Sequence, residues 1–279
     1  MSPIIFLLVV FAGSLLAGLL GSILGIGGGA IIVPLLTIFF HVPIRIAIAA
    51  SIVSVIATSS GGAIAYLRDG LTNIRVAMFL ELATTTGAIF GALITNSVPD
   101  RILFILFAVV LMWSAIAMVR KPKEVPTLIE SNDKIANKLK LGATITTERE
   151  GKITYTLIKT KIGLFMMFLA GMVSSLLGIG SGVLKVPAMD LVMRMPLKAS
   201  TATSNFMIGV TAAGSAFIYL AKGEVDPILT APVAVGVVIG ATIGSRKLKT
   251  VDLSYLRYLF VIVLFVVSIE MIYKGYILK

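Results

Sequence analysis

The sequence predicts an all-α polytopic membrane protein made of two inverted-topology repeats. Each repeat has about five helical segments, with a broken or re-entrant helix at a glycine motif. Three observations predict this: the scarcity of charge, a glycine motif that occurs twice at one fixed offset, and the placement of the cationic residues. Charged residues make up 13% of the 279-residue chain and apolar ones 58%, whereas a soluble domain carries about 25% charged residues. Apolar runs of about twenty residues recur, each long enough to cross a bilayer. The first charged residue is Arg45. No positive region precedes the first apolar stretch, as it would in a signal peptide, so that stretch is expected to be a retained span.

The motif reads AGLLGSILGIGGGAIIVP from Ala17 to Pro34 and AGMVSSLLGIGSGVLKVP from Ala170 to Pro187. Gly25, Gly27, Gly28 and Gly29 fall on Gly178, Gly180, Ser181 and Gly182, an offset of 153 positions. At the same offset Ser51 matches Ser204, Tyr66 matches Tyr219, and Gly87 and Gly91 match Gly240 and Gly244. The repeat covers about residues 11–118 and 164–273. The chain therefore divides into a first transmembrane repeat (1–119), a central loop (120–161) and a second transmembrane repeat (162–279). The apolar segments lie near 3–24, 29–40, 44–66, 74–96 and 101–119, then near 162–177, 182–193, 198–220, 226–245 and 253–274. The second segment of each half, about twelve residues, is too short for a full crossing, which needs about twenty. It suits a half-helix or re-entrant arm.

Cationic residues set the topology. If the glycine arm returns to its own side, each half makes an odd number of crossings. One face then carries Arg68, Arg75, the Lys and Arg residues between Arg120 and Lys161, Arg194, Lys198, Arg246, Lys247, Lys249 and Arg257. The other carries Arg45, Arg101, Lys222, Lys274 and Lys279. The positive-inside rule then puts the central loop in the cytoplasm and both termini outside, and odd halves must be inverted relative to each other. The expected location is a cell membrane, crossed many times. The formal charge of +11 reads as this topology signal plus attraction to anionic lipid. No basic helix or aromatic-basic platform points to nucleic acid. In the loop, Thr144 to Thr147 and Ile153 to Thr156 flank Glu148-Arg149-Glu150-Gly151, a pattern of either a small β-hairpin or a solvated linker.

A helix that starts inside a membrane presents unsatisfied N–H groups and the positive end of its dipole. Glycine lets a ligand approach that backbone closely. Two such starts facing each other would form an anion cradle needing no metal, cofactor or catalytic side chain. The competing reading is close helix packing through small residues. Lys185 lies in an apolar segment, where a charge costs about 3 kcal/mol. It would pair either with a substrate anion or with Asp190 one turn on. Glu81, followed by Thr84, Thr85 and Thr86, has Ala234 as its counterpart. It reads as a proton carrier or as a hydrogen-bonded structural acid. The third segments are rich in small polar residues, among them Ser51, Ser204, Thr211 and Asn205, suited to replacing part of an oxyanion's hydration or to joining helices. His41 reads as a boundary residue and Trp113 as an interfacial anchor.

The duplicated glycine–proline pattern, in a chain of this length with this loop, resembles the TauE/SafE sulfite-exporter family of membrane permeases. The resemblance covers both halves. It rests on Gly25, Gly27, Gly28, Gly29 and Pro34 with Gly178, Gly180, Gly182 and Pro187, and Ser181 departs from the glycine run. It implies transport of a small sulfur-containing anion such as sulfite, thiosulfate or an organosulfonate. The expectation is a secondary carrier with its substrate between the two breaks and alternating access by rocking of the halves, Glu81 coupling it to protons. The alternative is an anion channel, or a permease for another small oxyanion or carboxylate. An intramembrane enzyme is disfavoured: the chain has no cysteine, one histidine, and no HExxH or GxSxG motif.

Overall fold

The computed structural model describes residues 3–24, 27–119, 132–147, 151–247 and 253–277. Gly25 and the Glu148–Glu150 turn lie outside them. The first half comprises α1 (Pro3–Leu24), a short α2 (Gly29–Pro34), α3 (Ile44–Arg68), α4 (Ile74–Ile94) and α5 (Asp100–Val119). A connecting unit follows, with α6 (Lys134–Lys138), β1 (Ala143–Thr147) and β2 (Gly151–Tyr155). The second half comprises α7 (Thr160–Leu177), a short α8 (Gly182–Pro187), α9 (Leu197–Ala221), α10 (Pro227–Lys247) and α11 (Leu253–Ile277). Among the described residues, eight helices are long and apolar enough to cross a membrane. Large apolar side chains such as Leu82, Phe217 and Ile228 are more than 70% exposed on their outer faces. A surface of that kind is a liability in water and is expected where the solvent is lipid.

The two short helices owe their shape to proline. Pro34 and Pro187 supply no N–H, so the regular i→i−4 ladder is interrupted there. Each helix continues as one π-helical stretch, Leu35–Phe39 and Ala188–Val192, a form that tolerates local interruption. Thr37 Oγ1 donates to the Val33 carbonyl at 2.8 Å, and Lys274 Nζ donates to the Thr37 carbonyl. The arms end at His41 and Arg194, both at φ 55°, which turn the chain sharply into α3 and α9. At about 1.5 Å per residue the arm Gly29–Phe39 reaches about 16 Å, roughly half a hydrocarbon core.

Packing follows the repeat. α1 lies on α10 as α7 lies on α4, α3 lies on α10 as α9 lies on α4, and α3 packs on α9 as α5 packs on α11. The close pairs are made by glycine. A Cβ at Gly240 would collide with the Leu15 carbonyl and one at Gly18 with the Val237 carbonyl. At the equivalent positions, a Cβ at Gly87 would meet Phe168 O and one at Gly171 would meet Thr84 O. Backbones this close gain dispersion contacts that lipid would not provide.

In the described part of the connecting unit, two paired strands dock on the helices. β1 and β2 pair antiparallel with Ile145 opposite Ile153. Ile145, Tyr155 and Leu157 are buried with Val76 and Leu80 of α4, and with Met189 and Met193 at the far end of the α8 arm. Asn73, the N-cap of α4, accepts from Val76 N and donates through Nδ2 to Leu141 O and to the Tyr155 hydroxyl. Burial pushes the Tyr155 phenol up to about 12, against a smaller opposing effect of the Asn73 hydrogen bond. At the α7 start, Asp133 accepts from Thr160 N at 2.7 Å and from Thr160 Oγ1 at 2.8 Å. Burial alone would raise the Asp133 carboxyl. Hydrogen bonds from Thr160, Ala136 and Ile135 outweigh it and hold the group below its usual range.

Two expectations follow from this packing. Gly240→Leu and Gly87→Leu should each lower stability by about 1–3 kcal/mol through overpacking, read as matching drops in the melting temperature of the detergent-solubilised protein. An unshifted melt for Gly240→Leu would mean that α1 and α10 do not approach this closely. The depressed Asp133 carboxyl stabilises the unit above the unfolded value of about 4. That stabilisation is lost as the pH falls through the lower native value. Hydrogen-exchange protection at the Thr160 amide should therefore drop on acidification through that range, and should already be reduced at neutral pH in Asp133→Asn.

Candidate functional site

The breaks are built by glycines in backbone conformations that other residues avoid. Gly27 has φ +82°, and its equivalent Gly180 has φ +75°. α7 ends at Gly178, φ +67°, whose N–H donates to Ser174 O at 2.8 Å. A Cβ there would lie 2.9 Å from the Ile48 carbonyl oxygen, so both dihedral and space require glycine. The two breaks touch. A Cβ on Gly27 would sit 3.8 Å from Gly180 Cα, and one on Gly29 would collide with the Gly178 carbonyl oxygen. The structure thus brings Gly27, Gly28 and Gly29 against Gly178 and Gly180, with Ser181 and Gly182 opening α8.

Position 28 is the exception. A Cβ there would meet nothing closer than 3.4 Å, which is ordinary contact. This accounts for the serine at the equivalent position 181. The first turn of each arm has amides that its own helix does not satisfy.

Carbonyls freed where α1 and α7 end are capped by side chains from α3 and α9. Tyr66 OH donates to Ser22 O at 2.7 Å, and Tyr219 OH donates to the equivalent Ser175 O at 2.8 Å. Ser51 Oγ donates to Gly178 O at 2.6 Å, and Asn205 Nδ2 to Ser22 O at 2.8 Å. The hydroxyl of Ser51 and the amide nitrogen of Asn205 are therefore engaged in holding the breaks. Ser204 is fully buried on the same helix as Asn205. Among the described residues, Ser181 Oγ and Asn205 Oδ1 are buried polar atoms without a hydrogen-bond partner. The caps by Tyr66 and Tyr219 were not foreseen from sequence. Their match at the repeat offset was the available signal.

One turn into the α8 arm, Lys185 is fully buried. Its ammonium donates to Thr211 Oγ1 of α9 at 2.6 Å and lies 3.4 Å from Glu81 Oε2 of α4. Glu81 also accepts from Thr211 Oγ1 at 2.5 Å and from Thr85 Oγ1 at 2.9 Å. Lys185 thus pairs with a carboxylate on another helix, Glu81, where sequence alone offered a substrate anion or Asp190 on the same arm. Glu81 is in turn the hydrogen-bonded acid of that ion pair. The equivalents of Lys185 and Glu81 are Ile32 and Ala234, so the pair exists once. Removing one member would leave the other charge buried and uncompensated, at a cost of about 3–5 kcal/mol.

Among the described residues, eight apolar helices and two interrupted arms, with polar side chains buried at the interruptions, make a multi-pass membrane protein. The family model for the sulfite exporter TauE/SafE matches residues 10–271. The chain belongs to that family, and the family is one of membrane transporters. The chain is 25% identical over 278 residues to "Probable membrane transporter protein YunE" of Bacillus subtilis, covering 97% of this chain and 98% of that one. It is 27% identical over 231 residues to "Probable membrane transporter protein YdhB" of the same organism, covering 83% and 86%. An archaeal protein of Methanocaldococcus jannaschii, "Probable membrane transporter protein MJ0441", is 22% identical over 272 residues, 92% of each chain. No solved structure matches the chain.

Proposed function

We propose that this transporter is a secondary carrier for a small sulfur-containing anion, sulfite, thiosulfate or an organosulfonate, bound where the two glycine breaks meet. The observation that carries the reading is the contact between the breaks, with Gly27 against Gly180 and Gly29 against Gly178. Two helix starts converge there inside apolar surroundings, and N–H groups at helix starts favour anions. The unpartnered Ser181 Oγ and Asn205 Oδ1 supply further polarity at the same place, with Ser51 and Ser204 on the flanking helices. Lys185 supplies the positive charge and Glu81 a group for proton coupling. The halves are inverted, the hairpin unit is cytoplasmic and both termini are outside. The halves rock about the breaks so that each side is opened in turn.

Ligand-dependent melting tests this. Sulfite, thiosulfate, sulfate, sulfoacetate, taurine, phosphate and chloride would be added to the purified protein. An anion at 100 times its dissociation constant stabilises the folded form by about 2.7 kcal/mol. One sulfur anion is expected to shift the melt, and Gly27→Ala/Gly180→Ala to abolish the shift by straining both left-handed positions. A shift that survives the double variant would move the site elsewhere. Channel-like single-molecule currents in a bilayer would replace the carrier by a channel.

A further inference from the structure

Lys185 and Glu81 are the feature that the repeat does not require. Lys185 has a wholly buried side chain, and that of Glu81 is 11% exposed. Three donors converge on the Glu81 carboxylate: Thr85, Thr211 and the Lys185 ammonium. The carboxylate is thereby the hydrogen-bonded counter-charge of the lysine. Thr211 is the bridge. Its oxygen accepts from Lys185 while its single proton goes to Glu81. The Met207 carbonyl, at 3.1 Å, is a second acceptor for that proton. Thr211 therefore keeps a partner whether or not Glu81 is charged.

The resting pair is electrically neutral. An anion arriving at Lys185 with Glu81 still ionised would leave the site with a net negative charge. A proton arriving on Glu81 without an anion would leave it positive. Both are costly where the dielectric is low. The combination that stays neutral is ammonium, carboxylic acid and one singly charged anion. The lysine stem is long and flexible and rises from the first turn of α8, four residues after Ser181. In a helix such side chains point back towards the N-terminus.

We infer that Glu81 is the internal counter-anion of Lys185 and gives way to the substrate by taking up one proton, so that one proton is bound with each singly charged anion. The inference rests on the carrier reading above. In the step, the Glu81 carboxylate gains a proton from water, Lys185 remains an ammonium, and the anion replaces the carboxylate beside it. Release reverses both. Because Ile32 and Ala234 occupy the equivalent positions, the stoichiometry is one proton per protein. Of the anions proposed above, the inference selects those of single charge, an organosulfonate or hydrogen sulfite, and excludes thiosulfate, since a divalent anion would restore the unfavourable net charge. The other ionisable groups on these elements are few. α4 has only Arg75 besides Glu81, α7 only Lys161, and α5 only Asp100 and Arg101 at its start. α9 has Lys198 near its start and Tyr219 near its end, Lys222 following it. The α8 arm adds Asp190, buried one turn beyond Lys185.

The test is calorimetric titration of the full purified chain with methanesulfonate, isethionate and acetate, whose single charge is constant near neutral pH. Each titration is run in two buffers of different ionisation enthalpy, which reports the protons taken up. For wild type the account expects about one proton per bound anion and an affinity that falls about tenfold for each unit of rising pH. Glu81→Gln should bind without proton uptake and without pH dependence. Lys185→Gln should lose binding at least tenfold. If Glu81→Gln does not fold, the wild-type proton count decides alone. Binding to wild type without proton uptake, or uptake that persists in Glu81→Gln, overturns the inference and leaves the carrier intact. Failure of all three anions to bind at any pH overturns the inference; if the sulfur anions also fail to shift the melt, the carrier reading falls with it.

Discussion

A helix broken inside hydrocarbon leaves carbonyl and amide groups that lipid cannot hydrogen-bond, and protein must satisfy them. Much of this molecule is arranged around that requirement. The carbonyls where α1 and α7 stop are met by Tyr66, Tyr219, Ser51 and Asn205, all on the two central helices α3 and α9. Those helices must therefore pass close to both breaks. The outer pairs α1–α10 and α4–α7 close around them, and only glycine allows backbones to approach so nearly. The amides of the arms are the part of the requirement that a bound anion would complete.

The repeat supplies the frame, and departures from it supply the chemistry. Tyr66 with Tyr219 and Gly87 with Gly240, the same in both halves, serve capping and packing. Where the halves differ, the difference has local meaning. Ser181 stands where Gly28 has room for a side chain. Lys185 and Glu81 stand where the other half has Ile32 and Ala234, so the two arms cannot be energetically equivalent. A duplicated unit in this way carries the Lys185–Glu81 pair on one arm only.

Much of the architecture was legible in the sequence because membrane physics acts locally. Twenty apolar residues in a row have few alternatives to a span, and glycine followed by proline interrupts a helix in any context. The hairpin was visible as alternation around a polar turn, although its docking onto Met189 and Met193 was not, because those residues belong to a distant arm. The ion pair was half legible. Lys185 and Glu81 each stood out as costly residues in apolar segments, but they are 104 positions apart and meet only because α4 passes the α8 arm. Local reasoning offered Asp190 instead. Ser51 and Asn205 stood out as polar, yet that each spends a donor on a broken helix end is a property of the tertiary packing.

The measurement that bears most directly on the central claim is the reactivity of a thiol at position 181. The chain has no cysteine, so Ser181→Cys would be the sole target for a water-soluble methanethiosulfonate reagent. Its hydroxyl is buried and unpartnered at the start of the α8 arm, so the substitution removes no hydrogen bond. The account predicts modification in membranes as the halves rock open, slowed several-fold by the transported anion. Modification at one unchanged rate with and without that anion, in a variant that still transports it, would contradict an anion site at the meeting of the two breaks.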